Sequence, residues 1–528
     1  MTAPPTRSWV ATDSDAPVSF QQSRSRGLST LLIIGPILLA WYLSTYLGGT
    51  AGHEIELVDI DISKVLKQNL ALAKHSWEHG VLTHALLELQ NPELSVFAGP
   101  GHGFDLRNPN PGATLEPFPE GKLPMCGRSG RYDEWTSVKA LRYAAGKVQT
   151  AKPMKKGEEW WLYREEQDGS AADAASLGWA TLLLERAGAD DPSNPVAVGR
   201  NAYGEAVDEM VDFLFRDHDR GGNMRFVVGL GSTVDALRGI GQKDGVSWAI
   251  SHRVHSPQMW ADYAYMSPPF LAAYAVARQD EKWLVEAVEQ IKAYAEVLAV
   301  KDDHDLKGVW RHIVSQPRHL GEDICCHDEG LWLTGNAWAL AGMVRVLGVL
   351  EKWQPNTRAR AAKSTNLDDS KRQYGRTELL GMSHEMLRAM HGRALQAPWD
   401  DLLENYLDHP PSREAFELYG PNNSDPAGTA LVASSIYRLA QLETLEDLSM
   451  LDWADKMYNA VARHVDNTGF LTPVASVTGV PSRELVVSTS EAQSFAILMY
   501  TARRDCEKLG ICKKHASRGG WFHMLKQW

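Results

Sequence analysis

Apolar residues recur at three- and four-residue steps in eleven stretches: 63–90, 132–148, 172–188, 199–216, 259–277, 281–299, 330–352, 376–395, 428–442, 446–464 and 489–505. This spacing puts them on one face of an α-helix, and the C-terminal tail has room for a twelfth helix. Strand signals are few. Several stretches are apolar on more than one face, such as LWLTGNAWALAGMVRVLGVL over 331–350, which predicts an inner ring of helices screened by an outer one. The linkers Asp217–Gly222, Asp303–Trp310 and Asp466–Leu471 share Asp or Asn ahead of Gly. Asp and Asn stabilise turns through their own backbone and Gly supplies positive φ, so a turn of this kind after every helix pair marks a repeated helical hairpin. The predicted fold is all-α: an (α/α)6 toroid over 52–528, its funnel lined by inner-helix ends and inter-hairpin loops. The polar residues 355–375 read as a surface loop and the Gly- and Pro-rich residues 99–128 as another near the rim.

The N-terminal part has a different pattern. Residues 1–27 form a polar tail, and 28–47, LSTLLIIGPILLAWYLSTYL, carry no charge. That is about the 20 residues a transmembrane helix needs, and too long an apolar run for the core of a cleaved signal peptide. Arg7, Arg24 and Arg26 precede it and no Lys or Arg follows until Lys64. The positive-inside tendency therefore predicts a single-pass signal anchor with the domain over 52–528 lumenal or extracellular. The sequon Asn422-Asn423-Ser424 then becomes available for glycosylation in a eukaryotic host.

Composition narrows the function. A formal charge of −12 and a pI near 5.9 argue against a nucleic-acid partner, which calls for clustered Lys and Arg. Eighteen Trp are many, and aromatic faces suit both sugar rings and protein cores. Five Cys are too few for a disulfide framework; Cys506 has Cys512 within reach, and Cys126 has either Cys325 or Cys326. The run Cys325-Cys326-His327-Asp328 offers ligand types but lacks a second ligand pair at metal-binding spacing, so no metal is assigned.

One carboxylate stands out. In QMWADYAYMSPPFLAAYA, Asp262 follows Trp260 at the start of a helical pattern, where it is either a helix cap or an acid whose proton burial would retain. This stretch, together with SWEHGVLTHALLEL (76–89), GVWRH (308–312), WLTGNAWALAGMVRVL (332–347), DPAGTALVASSIYRLA (425–440) and STSEAQSFAILMYTA (488–502), resembles the unsaturated glucuronyl and rhamnogalacturonyl hydrolases, six-hairpin glycosidases. The resemblance implies a hydrolase that hydrates the C4=C5 double bond of a terminal unsaturated uronic acid on an oligosaccharide, without a cofactor. It implies Asp262 as general acid/base and Asp173 as a second active-site carboxylate. Trp260, His312, Asn336 and Trp338 would then contact substrate. A departure is Thr334, in Leu333-Thr334-Gly335-Asn336-Ala337-Trp338, where the family carries an Arg suited to a carboxylate. Arg253, Arg311 and Arg318 are candidates to replace it. Its loss keeps two alternatives open: an enzyme acting on another glycoside or glycosylated small molecule, and a non-catalytic toroid that binds sugar or a partner.

Overall fold

Helix α1, Ile62–Leu72, begins where the Asp61 carboxylate accepts the Lys64 N–H. The periodic stretch 63–90 does not continue as one helix. The Glu78 carboxylate folds back to accept the N–H groups of Lys74 and His75 at 2.8 and 3.0 Å, and this box opens a second helix, α2, Ser76–Gln90. That break supplies a twelfth helical segment, and residues 514–528 of the C-terminal tail lie outside the described residues. The computed structural model describes residues 57–98, 135–150, 162–163, 169–187, 189, 202–216, 225–228, 247–254, 256–301, 305–315, 326–353, 369–397, 401–408 and 424–513. The anchor at 28–47, the sequon Asn422, the linker 217–222 and the loop 99–128 lie outside them.

The remaining helices are α3 (Lys139–Ala145), α4 (Ala171–Ala175), α5 (Gly178–Arg186), α6 (Ala202–Phe215), α7 (Tyr263–Met266), α8 (Pro268–Arg278), α9 (Lys282–Leu298), α10 (Leu333–Lys352), α11 (Asp369–Gln396), α12 (Pro426–Gln441), α13 (Met450–Arg463) and α14 (Ser490–Lys508). The pairs α4/α5 and α7/α8 each act as one broken inner helix. In chain order, outer and inner positions alternate. The inner elements α2, α4/α5, α7/α8, α10, α12 and α14 each touch the next, and α14 touches α2, so the ring closes. Outer helices α1, α3, α6, α9, α11 and α13 pack against α14, α2, α5, α8, α10 and α12 respectively. The chain is thus predominantly helical and toroidal, as its periodicity predicts.

Burial explains which helices are inner. Every residue of α10 from Leu333 to Leu350 is buried, and so is the whole of α12, whereas outer helices such as α9 bury one face. Among the described residues α10 alone is long and apolar enough to cross a membrane, yet it runs wholly inside protein. Gly342 permits its approach to α7: a Cβ there would stand 2.0 Å from the Ala264 carbonyl oxygen.

Two readings need correction. The stretch 259–277 is not continuous helix, because Gln258–Trp260 is a strand and Pro268 restarts the helix after Ser267. Residues 369–375, expected in a loop, are the first turns of α11; 355–368 lie outside the described residues. The turn at Gly308, with φ +84°, returns the chain from Val300 to Val309, and Gly469, with φ +95°, does the same between Val465 and Leu471, as the Asp-to-Gly linkers predict. Cys506 and Cys512 form a disulfide with Cα atoms 5.3 Å apart.

Sheet is confined to three two-stranded antiparallel ribbons among the described residues. They are β1 (Arg225–Val228) with β2 (Ser247–Ile250), β3 (Gln258–Trp260) with β4 (Ile313–Ser315), and β5 (Val474–Ala475) with β6 (Leu485–Val486). The second matters most, because it delivers Trp260 and Ile313 opposite each other, one residue or two from Asp262 and His312.

Candidate active site

Because outer and inner helices alternate, the inner elements run parallel and start at one end of the ring. Asp262 is the residue before α7. Its backbone carbonyl accepts the Tyr265 N–H at 2.9 Å, but its side chain makes no capping bond. Oδ1 is shielded from solvent and has no hydrogen-bond partner. Burial pushes its pKa up to about 6 against the opposing pull of His312, its own backbone amide and Arg253. A carboxyl that is not spent on capping and keeps its proton to near-neutral pH is equipped as a general acid.

Asp173 sits in the first turn of α4, buried, with Ser170 Oγ capping that helix by accepting the Asp173 N–H at 3.2 Å. His252 Nε2 lies 3.4 Å from Asp173 Oδ1 and 3.2 Å from Ser170 Oγ. Burial, reinforced by the charges of Arg253 and His312, holds the His252 pKa well below its usual value, so this imidazole is neutral. Asp173, His252 and Asp262 form the one group among the described residues whose ligand-type atoms, all within 4.8 Å of one another, could share an ion.

Trp260 is wedged between two histidines. It stacks on His252 with centroids 4.9 Å apart and meets His312 edge-on at 5.9 Å. Its indole N–H donates to Gln258 Oε1 at 2.8 Å. His312 is buried, and its Nδ1 stands 2.9 Å from Asp328 Oδ2, which also accepts the Tyr406 hydroxyl at 2.6 Å. Burial raises the Asp328 pKa, but the bonds from His312 and Tyr406 outweigh it and the net shift is downward. An ionised Asp328 can only accept, so Nδ1 carries a hydrogen and Nε2 is left as the reactive nitrogen.

The structure redistributes the other candidates. Asn336 is a staple: Oδ1 accepts the Trp310 N–H at 2.7 Å and Nδ2 donates to the Trp310 and Trp332 carbonyls at 2.8 and 2.9 Å. It holds the loop of His312 and its own amide is fully used, so the expected substrate contact is corrected to a positioning role. Trp338 is likewise corrected: it is a core residue between Tyr265 and Phe495, each with ring centroids 4.5 Å away. Thr334 does not face an open pocket; its Oγ1 donates to Asp425 Oδ2 at 2.6 Å. In the Cys-Cys-His-Asp run, Cys326 is disulfide-bonded, His327 is exposed beside Glu329 and Asp328 serves His312, while Cys325 lies outside the described residues. Asn422 lies outside the described residues.

Sequence reading missed His252, which gives no periodic or motif signal beyond its place two residues after β2. It also missed Glu491, in the first turn of α14. Glu491 is buried with Oε1 unpartnered, and burial together with the nearby Glu78, Asp262 and Asp425 pushes its pKa well above the carboxylate range. The start of the ring thus collects Asp262, Asp425 and Glu491, and burial raises the pKa of each.

Residues 199–374, which carry His252, Asp262, His312 and Asp328, match the family model of glycosyl hydrolase family 88. No curated protein matches the chain in sequence. Among solved structures it is similar to a possible member of the GH105 family from Salmonella enterica serovar Paratyphi A, at 14% identity over 85% of this chain and 93% of that one, with a TM-score of 0.50. A possible GH105 member from Klebsiella pneumoniae has 14% identity over 93% and 96% and a TM-score of 0.47. An unsaturated glucuronyl hydrolase from Bacillus sp. GL1 has 14% identity over 66% and 78%, with a TM-score of 0.38. The first likeness shows a shared fold, and the family match supports the resemblance read from the motifs. Over residues 199–374 the chain is therefore similar to the glycoside hydrolases of family 88.

Proposed function

We propose that the enzyme hydrates the C4=C5 double bond of a terminal unsaturated uronic acid on a small oligosaccharide, with Asp262 as general acid and then base. The observation that carries this is the Asp262 carboxyl itself, half-buried, with Oδ1 shielded from solvent and unpartnered, and free of capping duty. Asp262 gives its proton to C4; the double-bond electrons form the new C4–H bond and the ring oxygen feeds electron density to C5. Water then adds to C5 and its proton returns to the Asp262 carboxylate. The hemiketal at C5 opens by breaking its bond to the ring oxygen. That oxygen remains on the anomeric carbon, which collapses to an aldehyde and releases the neighbouring sugar. Asp173 and neutral His252 orient the water, and His312, fixed by Asp328, faces the same site. No second carboxylate displacement is involved, so the usual paired-carboxylate scheme does not apply.

Incubation with lyase-generated unsaturated disaccharides, followed through the ultraviolet absorbance of the double bond, tests the reading. Loss of absorbance that disappears in Asp262→Asn supports it; an unchanged rate in that variant refutes the assignment of the acid. The locking of Thr334 onto Asp425 favours a second reading, in which the same acid serves another glycoside. The uncharged run 28–47 and the arginines before it support an enzyme anchored in a membrane with its ring outside the cytosol and Asn422 open to glycosylation. Protease access to the ring from the cytosolic side would overturn that topology.

A further inference from the structure

The position that would hold a carboxylate-binding arginine is closed. Thr334 is buried and committed to Asp425, whose carboxylate repels an anion when ionised. Of the arginines that could substitute, Arg318 lies outside the described residues and Arg311 faces Glu329 at 3.4 Å. Arg253 differs. Its guanidinium forms no ion pair or hydrogen bond among the described residues, and it lies over the Trp260 ring at 5.6 Å.

The loop that carries Arg253 is built rather than loose. Ser251 Oγ donates to the Arg253 carbonyl at 2.7 Å and accepts the Gln258 N–H at 3.0 Å, and the Val254 N–H donates to the Gly169 carbonyl at 3.2 Å. Gly169 leaves room for the guanidinium: a Cβ there would meet Arg253 Nη2 at 3.0 Å. The guanidinium is thereby set between the segment that leads into Asp173 and the strand that leads into Asp262. A planar fork placed over an indole, half-exposed and without an ion-pair partner among the described residues, fits a bidentate carboxylate ligand.

Resting on the reading under Proposed function, we propose that Arg253, from the loop between β2 and β3, binds the substrate's uronate carboxylate in place of an arginine at position 334. It is a specificity residue supplied by a different element of the ring.

The test compares an unsaturated uronyl disaccharide with its methyl ester on wild type, Arg253→Ala and Arg253→Lys. Both substrates use the same acid, so the ratio of their kcat/KM values cancels any change in Asp262. Hydrogen bonds to charged groups are worth ~1.5–3 kcal/mol, so the acid-over-ester preference should fall about 10- to 100-fold in Arg253→Ala, mainly through KM for the acid. Arg253→Lys, which keeps charge without the fork, should lie between, and circular dichroism confirms that each variant folds. An unchanged ratio in both variants overturns the proposal. Calorimetric titration of full-length protein with glucuronate and with glucuronamide keeps the test separate from turnover. Wild type should prefer glucuronate and Arg253→Ala should not, even if neither disaccharide is cleaved. Equal binding of the two probes by wild type, or a preference retained by Arg253→Ala, counts against Arg253 alone.

Discussion

Replacing Asp262 by Asn should make the protein more stable and far less active, and the two effects separate by pH. Burial raises the Asp262 pKa from 3.8 to about 6, so the folded state binds its proton more tightly than the unfolded chain does. That contribution to stability is complete below the unfolded value and is lost as pH rises through the folded one. The shift is roughly two units, and at about 1.4 kcal/mol per unit the ionised carboxylate costs up to about 3 kcal/mol above pH ~7; partial exposure of the side chain makes this an upper figure. Asn removes the charge, and since the Asp262 side chain makes no capping bond the substitution forfeits none. Chemical denaturation of both proteins should show Asn more stable at about pH 8, with the gap closing near pH 4. Turnover should fall ~10²–10⁴-fold, the usual worth of general acid–base catalysis, while the wild-type rate declines as pH rises past about 6. Equal stability at both pH values would show that Asp262 is not held in a desolvated site. A retained rate would show that it is not the acid.

Three other perturbations probe the frame around it. Asp328→Asn removes the acceptor that fixes the His312 tautomer, so turnover should drop about 100-fold or more, as when an orienting carboxylate is lost from a catalytic triad, with thermal unfolding little changed. Glu88→Gln removes the carboxylate that Arg345 and Arg438 meet at 2.5 and 2.7 Å in full burial, leaving Arg438 with Asp505 as its ion-pair partner; loss of ~3–5 kcal/mol in denaturant unfolding is expected. Asn336→Ala leaves the Trp310 amide and carbonyl without their partner. It should cost about 1–3 kcal/mol and lower kcat through displacement of His312, with the acid-over-ester preference untouched.

The fold was legible because two signals agreed. Helical periodicity gave the elements, and stretches apolar on all faces, such as α10, marked which of them stand inside. What escaped was punctuation: Glu78 ends the loop before α2 by bonding two backbone amides, and this depends on side-chain geometry that a period count ignores. The strand Gln258–Trp260 escaped for a related reason, since its partner Ile313–Ser315 is 53 residues away from Trp260 at the nearest paired position and short ribbons leave no local pattern. Within the site, Asp262 and His312 were accessible through motif resemblance. His252 was not, because a lone histidine has no spacing; only the closing of the ring brings it to Asp173. Asn336 and Trp338 show the converse, motif residues whose work is to hold backbone and fill core.

The distribution of charge around the ring argues for a division of labour between its two ends. Toward the C-terminal ends of the inner helices, Glu88, Arg345, Arg438 and Asp505 are buried and joined in ion pairs that link α2, α10, α12 and α14. At the N-terminal ends, Asp262 Oδ1 and Glu491 Oε1 are shielded from solvent without a hydrogen-bond partner. Helix N-termini favour negative charge, which lowers the cost of gathering acids there, yet burial still raises the pKa of Asp262 and Glu491. The same twelve-helix frame therefore spends its ion pairs where nothing reacts and leaves its carboxyls unsatisfied where a proton must be given away. Such unsatisfied groups persist because the closed ring over-determines their positions. Their instability at neutral pH and their capacity to act are one property, which is why a single substitution at Asp262 should move stability and rate in opposite directions.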